Sequence, residues 1–369
     1  MKKFSVGLPI AEKAGFVEKI IEYKENISEV YFSWGSFKSG RSAQNADYKS
    51  KPFEAQEKLL HNLTLLHENG LMFNLLFNAN CYGAESLSKS LFYEIGDTID
   101  YVSEKFNVRS VTTTSPLIAK FIKTNFPNVK TRASVNMEIG TENGMEYIAE
   151  YFDGFYLKRE FNKYLPTIKR LRAWCDKHGK ELFLLANSGC LNDCSTHNFH
   201  DNLVSHEAEI AKYDNAYVFE GVCRNFLKNN PEKFLQRTNF VRPEDVPLIE
   251  GYFDGIKLAT RTNPNPSIVL DAYLRGRYRG SLPSLLEPDH AGLFFPSVIE
   301  NAKIDDKYMQ TVLQCDKRCS TCDYCENVLK NATIKLEDIE CVLPLPTAII
   351  LFSAYSCSVI SRVYFTGKM

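Results

Sequence analysis

Familiar hydrolase signatures are missing from this chain. It contains no G-x-S-x-G and no H-E-x-x-H. That removes the serine nucleophile on a strand–helix elbow and the two-histidine zinc helix. No phosphate-cradling glycine loop occurs either. Charge of one sign is also lacking: 44 Lys and Arg against 45 Asp and Glu leave a net charge of −1. Nothing global therefore marks a polyanion-binding protein, although a local basic face stays open. Long apolar runs are absent too. The uncharged stretch 347–361 follows Pro344 and Pro346 and gives way to Arg362. It is shorter than the roughly twenty apolar residues a membrane helix needs, so a packed element and no stable membrane insertion are expected. The apolar stretch near the first residues is too short for a secretory signal, which makes the cytoplasm the expected location.

Cysteine is what the chain has in excess. Eleven are present, unevenly clustered, which suits a reducing compartment better than a disulfide framework. Cys190 and Cys194 lie in Ser188-Gly189-Cys190-Leu191-Asn192-Asp193-Cys194, and Cys223 follows farther on. Cys315, Cys319, Cys322 and Cys325 form a C-x3-C-x2-C-x2-C run. Such spacings can turn several thiolates toward one metal centre.

The 369 residues suffice for one large barrel or two domains. Candidate strands lie at 4–9, 28–34, 71–79, 109–114, 130–136, 154–159, 181–187 and 255–260; most are rich in Val, Ile, Leu, Phe and Tyr, and several are nearly continuous apolar runs, as parallel strands buried on both faces are. Amphipathic helical segments separate them, such as 53–69 stopping at Gly70 and 162–179 stopping at Gly179. Ser115-Pro116 reads as a helix cap and first turn. The alternation predicts an α/β (β/α)8 TIM-like barrel over 1–300, with a doubly wound sheet as the alternative. A small cysteine-rich appendage and the apolar tail are expected over 301–369. Tyr151-Phe152-Asp153-Gly154-Phe155 echoes Tyr252-Phe253-Asp254-Gly255-Ile256, and each copy leads through a strand to a basic residue.

Active sites of such barrels lie at the C-terminal ends of the strands. Cys190 and Cys194 follow the seventh expected strand, Cys223 follows the apolar run 216–219, and Cys81 follows the third strand. The expected cofactor is a 4Fe–4S cluster on Cys190, Cys194 and Cys223. Its fourth ligand is Cys81, a non-cysteine group or substrate. Zinc or plain reduced thiols are the alternatives. Cys315, Cys319, Cys322 and Cys325 are expected to bind metal, either zinc or a second iron–sulfur cluster. The first three match the C-x3-C-x2-C spacing of radical S-adenosylmethionine enzymes. That motif, however, belongs after a first barrel strand, not beyond the last.

His197, His200 and His206 crowd with Asp201 and Glu207 just after Cys194. His200, nearest the middle, is the expected acid–base residue, against a helix with satisfied polar contacts. Arg132, Arg159 and Arg261 at strand ends suit carboxylate or phosphate recognition, or else structural ion pairs. Residues 34–42 read as a substrate loop.

The Ser188–Cys194 motif with His200-Asp201-Asn202, and Val241-Arg242-Pro243-Glu244-Asp245 followed by Gly255–Arg261, resemble the peptidase U32-like family. The ending Cys319-Ser320-Thr321-Cys322-Asp323-Tyr324-Cys325 is similar to one branch of it. The resemblance covers roughly 1–330. It implies a barrel and, in several branches, a cysteine-bound 4Fe–4S cluster. It also implies either oxygen-independent hydroxylation of RNA bases or quinone precursors, or a collagenase-like peptidase activity. The cysteine spacing here departs from the better-known branches. Three readings follow: an iron–sulfur enzyme modifying RNA or a small anionic molecule, a peptidase, and a non-catalytic metal-binding partner of another subunit of the same family.

Overall fold

A computed structural model describes residues 3–9, 13–35, 37–40 and 51–335. The apolar tail and part of the expected loop 34–42 lie outside the described residues. Eight strands close a parallel barrel: β1 (Phe4–Gly7), β2 (Ile27–Ser33), β3 (Phe73–Phe77), β4 (Val108–Thr113), β5 (Lys130–Ala133), β6 (Gly154–Tyr156), β7 (Glu181–Leu185) and β8 (Gly255–Leu258). Every neighbouring pair is parallel, and β1 closes on β8 through Phe4–Ile256 and Val6–Leu258. This is the expected (β/α)8 barrel.

Helices cover its outside: α1 (Phe16–Glu22), α2 (Pro52–Glu68), α3 (Lys89–Phe106), α4 (Pro116–Asn125), α5 (Glu142–Glu146) and α6 (Leu165–His178). In α2 the buried Ala55, Leu59, Leu63 and Leu66 form one stripe at helical spacing. Ser115 caps α4 by accepting from the Ile118 amide, and Gly179 closes α6 in the left-handed region at φ 62°. Those local signals are the ones the sequence offered.

The Asp-Gly echo has a physical cause. Asp153 accepts from the Thr131 amide at 2.9 Å, and Asp254 accepts from the Leu182 amide at 2.8 Å, so each pins the start of the preceding strand. Gly154 and Gly255 flank the Phe183 ring; a Cβ on them would meet it at 2.7 and 3.0 Å. Phe183 therefore fills the lower lumen between two glycines. The Arg132 guanidinium lies over the same ring at 4.2 Å.

The connection from β7 to β8 is the longest. It carries α7 (His197–Ser205), α8 (Glu207–Ile210), α9 (Val222–Asn229) and α10 (Phe234–Arg237). After β8 come α11 (Pro266–Arg275), β9 (Ser297–Ile299), α12 (Tyr308–Leu313), α13 (Tyr324–Ala332) and β10 (Thr333–Lys335). β10 pairs antiparallel with β9 across residue 300. Buried Tyr308, Met309, Val312, Leu313 and Leu329 join the barrel's hydrophobic core. Among the described residues, no helix is long and apolar enough to cross a membrane.

Candidate functional site

Strand alternation turns polar residues into the lumen. Lowest is a buried ion pair: Arg132 Nη1 lies 2.7 Å from both Glu29 carboxylate oxygens. Ser5 and Asn74 donate to the same carboxylate. Burial alone would raise Glu29, but Arg132, Ser5 and Asn74 together hold it below the usual carboxylate range. Arg132, expected to recognise substrate at the face, is thus corrected to an interior residue committed to Glu29.

Higher up, Arg261 donates to Ser33 Oγ at 2.6 Å and to Ser39 Oγ at 3.2 Å. Ser39 in turn donates to Asn78 at 3.3 Å. Arg159 donates to Asn136 Oδ1 at 2.6 Å and to His197 Nε2 at 2.8 Å. Both arginines are buried, and they follow β6 and β8, strands that are not neighbours. The Nε of Arg159 is buried and has no hydrogen-bond partner among the described residues.

His197 is the histidine the fold uses. With Nε2 accepting from Arg159, its proton sits on Nδ1, which meets Glu138. His197, Asp201 and Ser205 repeat every four residues and are the buried face of α7. His200 points outward and packs on the Phe219 ring at 5.2 Å. His200, expected as the acid–base residue, thus lies on the exposed side of α7, and His197 is the one on its buried face. Helical periodicity, applied to 197–205, would have found it. Glu138 and Glu160, which sequence reading missed, bring their oxygens within 4.8 Å of a His197 nitrogen. They follow β5 and β6.

The Cys190 turn is seated firmly. Asn187 at the end of β7 donates to Ala259 O at 2.9 Å and Leu285 O at 2.8 Å, and accepts from the Ala259 amide. The Gly189 amide donates to Glu287 O, and His290 meets Gly189 O at 2.8 Å. Leu191 then bridges to Thr238, and the Asn192 amide donates to Arg237 O. Cys190 and Cys194 lie within electrostatic reach of Cys223: burial pushes the Cys223 thiol up to about 11, and the two other thiols add to the rise.

Cys81 does not join them. Cys194 sits before the first turn of α7, whereas Cys81 lies by its last: the Asn80 amide donates to Ser205 Oγ. Nine residues of helix span about 13 Å. The Cys81 thiol instead meets His206 and the Gly83 amide, and is lowered, His206 being the main cause. His206 Nδ1 is hydrogen-bonded to Glu209, and Glu209 pairs with Lys38 at 2.7 Å.

The second cysteine set lies behind the first. Cys319 O accepts from the Gln236 side chain at 3.3 Å, two residues from the Thr238 that bridges Leu191. Cys325 is raised by burial, which outweighs the lowering by Lys163, and nearby Cys319 and Cys315 add to the rise. Lys163 lies buried beside this set, between the rings of Phe240 at 4.6 Å and Tyr308 at 5.5 Å. Among the described residues it has no carboxylate at ion-pairing distance, and burial pushes it down to about 7.

No family model matches the chain. An uncharacterized protease of Methanocaldococcus jannaschii is 24% identical over 285 residues, covering 75% of this chain and 81% of that protein. A U32 peptidase of known structure aligns at TM-score 0.49 with 14% identity, over 70% of this chain and 92% of that one. A tryptophan synthase α-subunit from Pyrococcus furiosus aligns at TM-score 0.34 with 12% identity, over 64% of this chain and 100% of that one.

Proposed function

From the chain's similarity to the U32-like peptidase family, we propose that it is a metal–thiolate enzyme in which Cys190, Cys194 and Cys223 hold a 4Fe–4S cluster at the barrel mouth. What supports this reading is that thiols from two separate parts of the β7–β8 connection lie within electrostatic reach, Cys190 and Cys194 both raising Cys223. Their sulfurs are not all within 4.8 Å of one another, among the described residues. A single tetrahedral zinc with bonds of about 2.3 Å would draw them to about 3.8 Å. A cluster takes one thiolate per iron, so wider spacing fits it. Three ligands would leave a position for substrate or a further ligand.

Bound there, such a group supplies one-electron chemistry and a Lewis-acid site. The chain's own residues supply the rest. Arg159 and Arg261 suit an anionic group, and Arg159 has a buried donor to spare. Asn136 and His197 hold Arg159 in place. The reaction class we favour is oxygen-independent hydroxylation, or a related redox modification, of RNA or a small anionic molecule. Cys315, Cys319, Cys322 and Cys325 would hold a second centre, zinc or iron–sulfur, with Lys163 as its buried counter-charge.

The test is iron, sulfide and zinc content of protein purified without oxygen, beside a Cys190→Ala/Cys194→Ala variant. About four irons per chain, lost in the variant, is the expected result. Zinc without iron would overturn the redox reading. Peptide hydrolysis, which the archaeal relative's name suggests, needs a nucleophile outside the thiol trio.

A further inference from the structure

We propose that Cys81, His206 and Glu209 form a nucleophilic site for acyl transfer from esters or amides, separate from the thiol trio. The three groups make the chain such chemistry requires: a nucleophile beside a base, and the base oriented by a third group. Cys81 follows β3 at the C-terminal face and is part-exposed. His206 closes α7, and its Nδ1 is engaged by Glu209 one helical turn on. Nε2 is the ring nitrogen that Glu209 does not engage, and Gly83, which packs on the imidazole, donates its amide to Cys81 Sγ at 3.3 Å. Gly83, at φ +66°, lets the imidazole come close: a Cβ there would stand 3.2 Å from His206 Cε1 and 3.5 Å from Lys38 Nζ. The charged and titratable groups facing the pair are Glu209 and Lys38.

The electrostatics agree with the geometry. The Cys81 thiol is lowered, chiefly by His206, and His206 is raised, chiefly by Glu209. Glu209 is held down to about 2 by His206 and Lys38. A thiolate facing an imidazolium is the reactive form of a cysteine nucleophile. Cys175, by contrast, is pushed up to about 12 by burial and has no such neighbour among its causes.

The reaction is a balanced hydrolysis. Sγ of Cys81 bonds to the acyl carbon as the bond to the leaving oxygen or nitrogen breaks. The thiol proton passes through His206 to the leaving group. Water then attacks the thioester, gives its proton through His206 to sulfur, and releases the acid. Glu209 acts through His206 as a positioning residue.

The probe is 4-nitrophenyl acetate with the full-length protein, read as nitrophenolate burst and as the acetylated peptide in mass spectrometry. We expect acetylation at Cys81, no burst from Cys81→Ala, and an acylation rate about 10²- to 10⁴-fold lower in His206→Asn. Iodoacetamide labelling of Cys81 across pH supplies a second reading that does not depend on turnover. Its midpoint should lie below that of an ordinary thiol and move upward in His206→Asn and, by less, in Glu209→Gln. Acetylation elsewhere in the chain, or a midpoint unmoved in both variants, would overturn the proposal. So would loss of iron from Cys81→Ala, which would return Cys81 to the cluster ligands.

Discussion

Arg132 and Arg159 look alike in the sequence, each a basic residue at the end of a short strand. Register separates them. Arg132 is the lumen-facing residue of β5 and meets Glu29, whereas Arg159 lies beyond β6 and meets Asn136 and His197. Removing Arg132 leaves a buried carboxylate without its partner. Arg132→Leu should cost about 3–5 kcal/mol in urea unfolding, and Arg132→Met with Glu29→Leu distinctly less. The pH dependence follows from the same pair. Glu29 is depressed below its ordinary 4.5 in the folded state. Its contribution is therefore complete above about 4.5, where the unfolded chain is also ionised, and disappears as pH falls through the depressed value. Stability measured down through this acid range should fall less steeply in Glu29→Gln than in the native chain. The choice between His200 and His197 belongs at this scale as well. Spacing alone put His200 at the centre of the cluster, but the buried face of α7 is His197, Asp201 and Ser205. The helical period was legible in the sequence; which of its faces would meet the barrel was not.

Elements were the most legible level. The strands were readable from β-branched, aromatic and apolar residues alternating with helical stretches, even where polar residues face the lumen, as in β4 and β5. Helix ends were readable where a cap or a glycine marks them, as at Ser115 and Gly179. Strand ends were less so: the run 71–79 is paired only over Phe73–Phe77, and its last residues leave the barrel to carry Asn78 and Asn80. The grouping of cysteines was partly legible. Cys190 and Cys194 lie within electrostatic reach of Cys223, but α7 separates Cys81 from Cys194, and no local spacing encodes that separation. The turn carrying Cys190 offers a direct test. A Cβ on Gly189 would stand 2.5 Å from Pro288 O and 3.2 Å from Leu286 Cβ. Backbone cannot yield as a side chain does, so Gly189→Ala should unfold about 1–3 kcal/mol more easily. It should also retain less iron per chain when metal content is assayed beside native protein.

Across the whole molecule, the two cysteine sets are tied to one segment. Residues 236–238 bridge Leu191 on one side and hydrogen-bond Cys319 on the other. Lys163, from the loop after β6, reaches the second set and donates to Tyr308 of α12 at 3.2 Å. A buried ammonium without a carboxylate is tolerable beside a thiolate-bound metal, and costly without one. Lys163→Met should weaken metal retention at the C-terminal cysteines, measured as metal lost to a chelator over time, while raising the stability of metal-free protein. The lower lumen sets a different condition on the whole. Phe183 wedged between Gly154 and Gly255, with the Glu29–Arg132 pair beside it, closes the barrel floor. A polymer cannot be threaded through it. With Tyr31, Tyr156 and Lys257 buried above that floor, a guest is met at the rim rather than swallowed, so the group to be changed has to be offered at the surface.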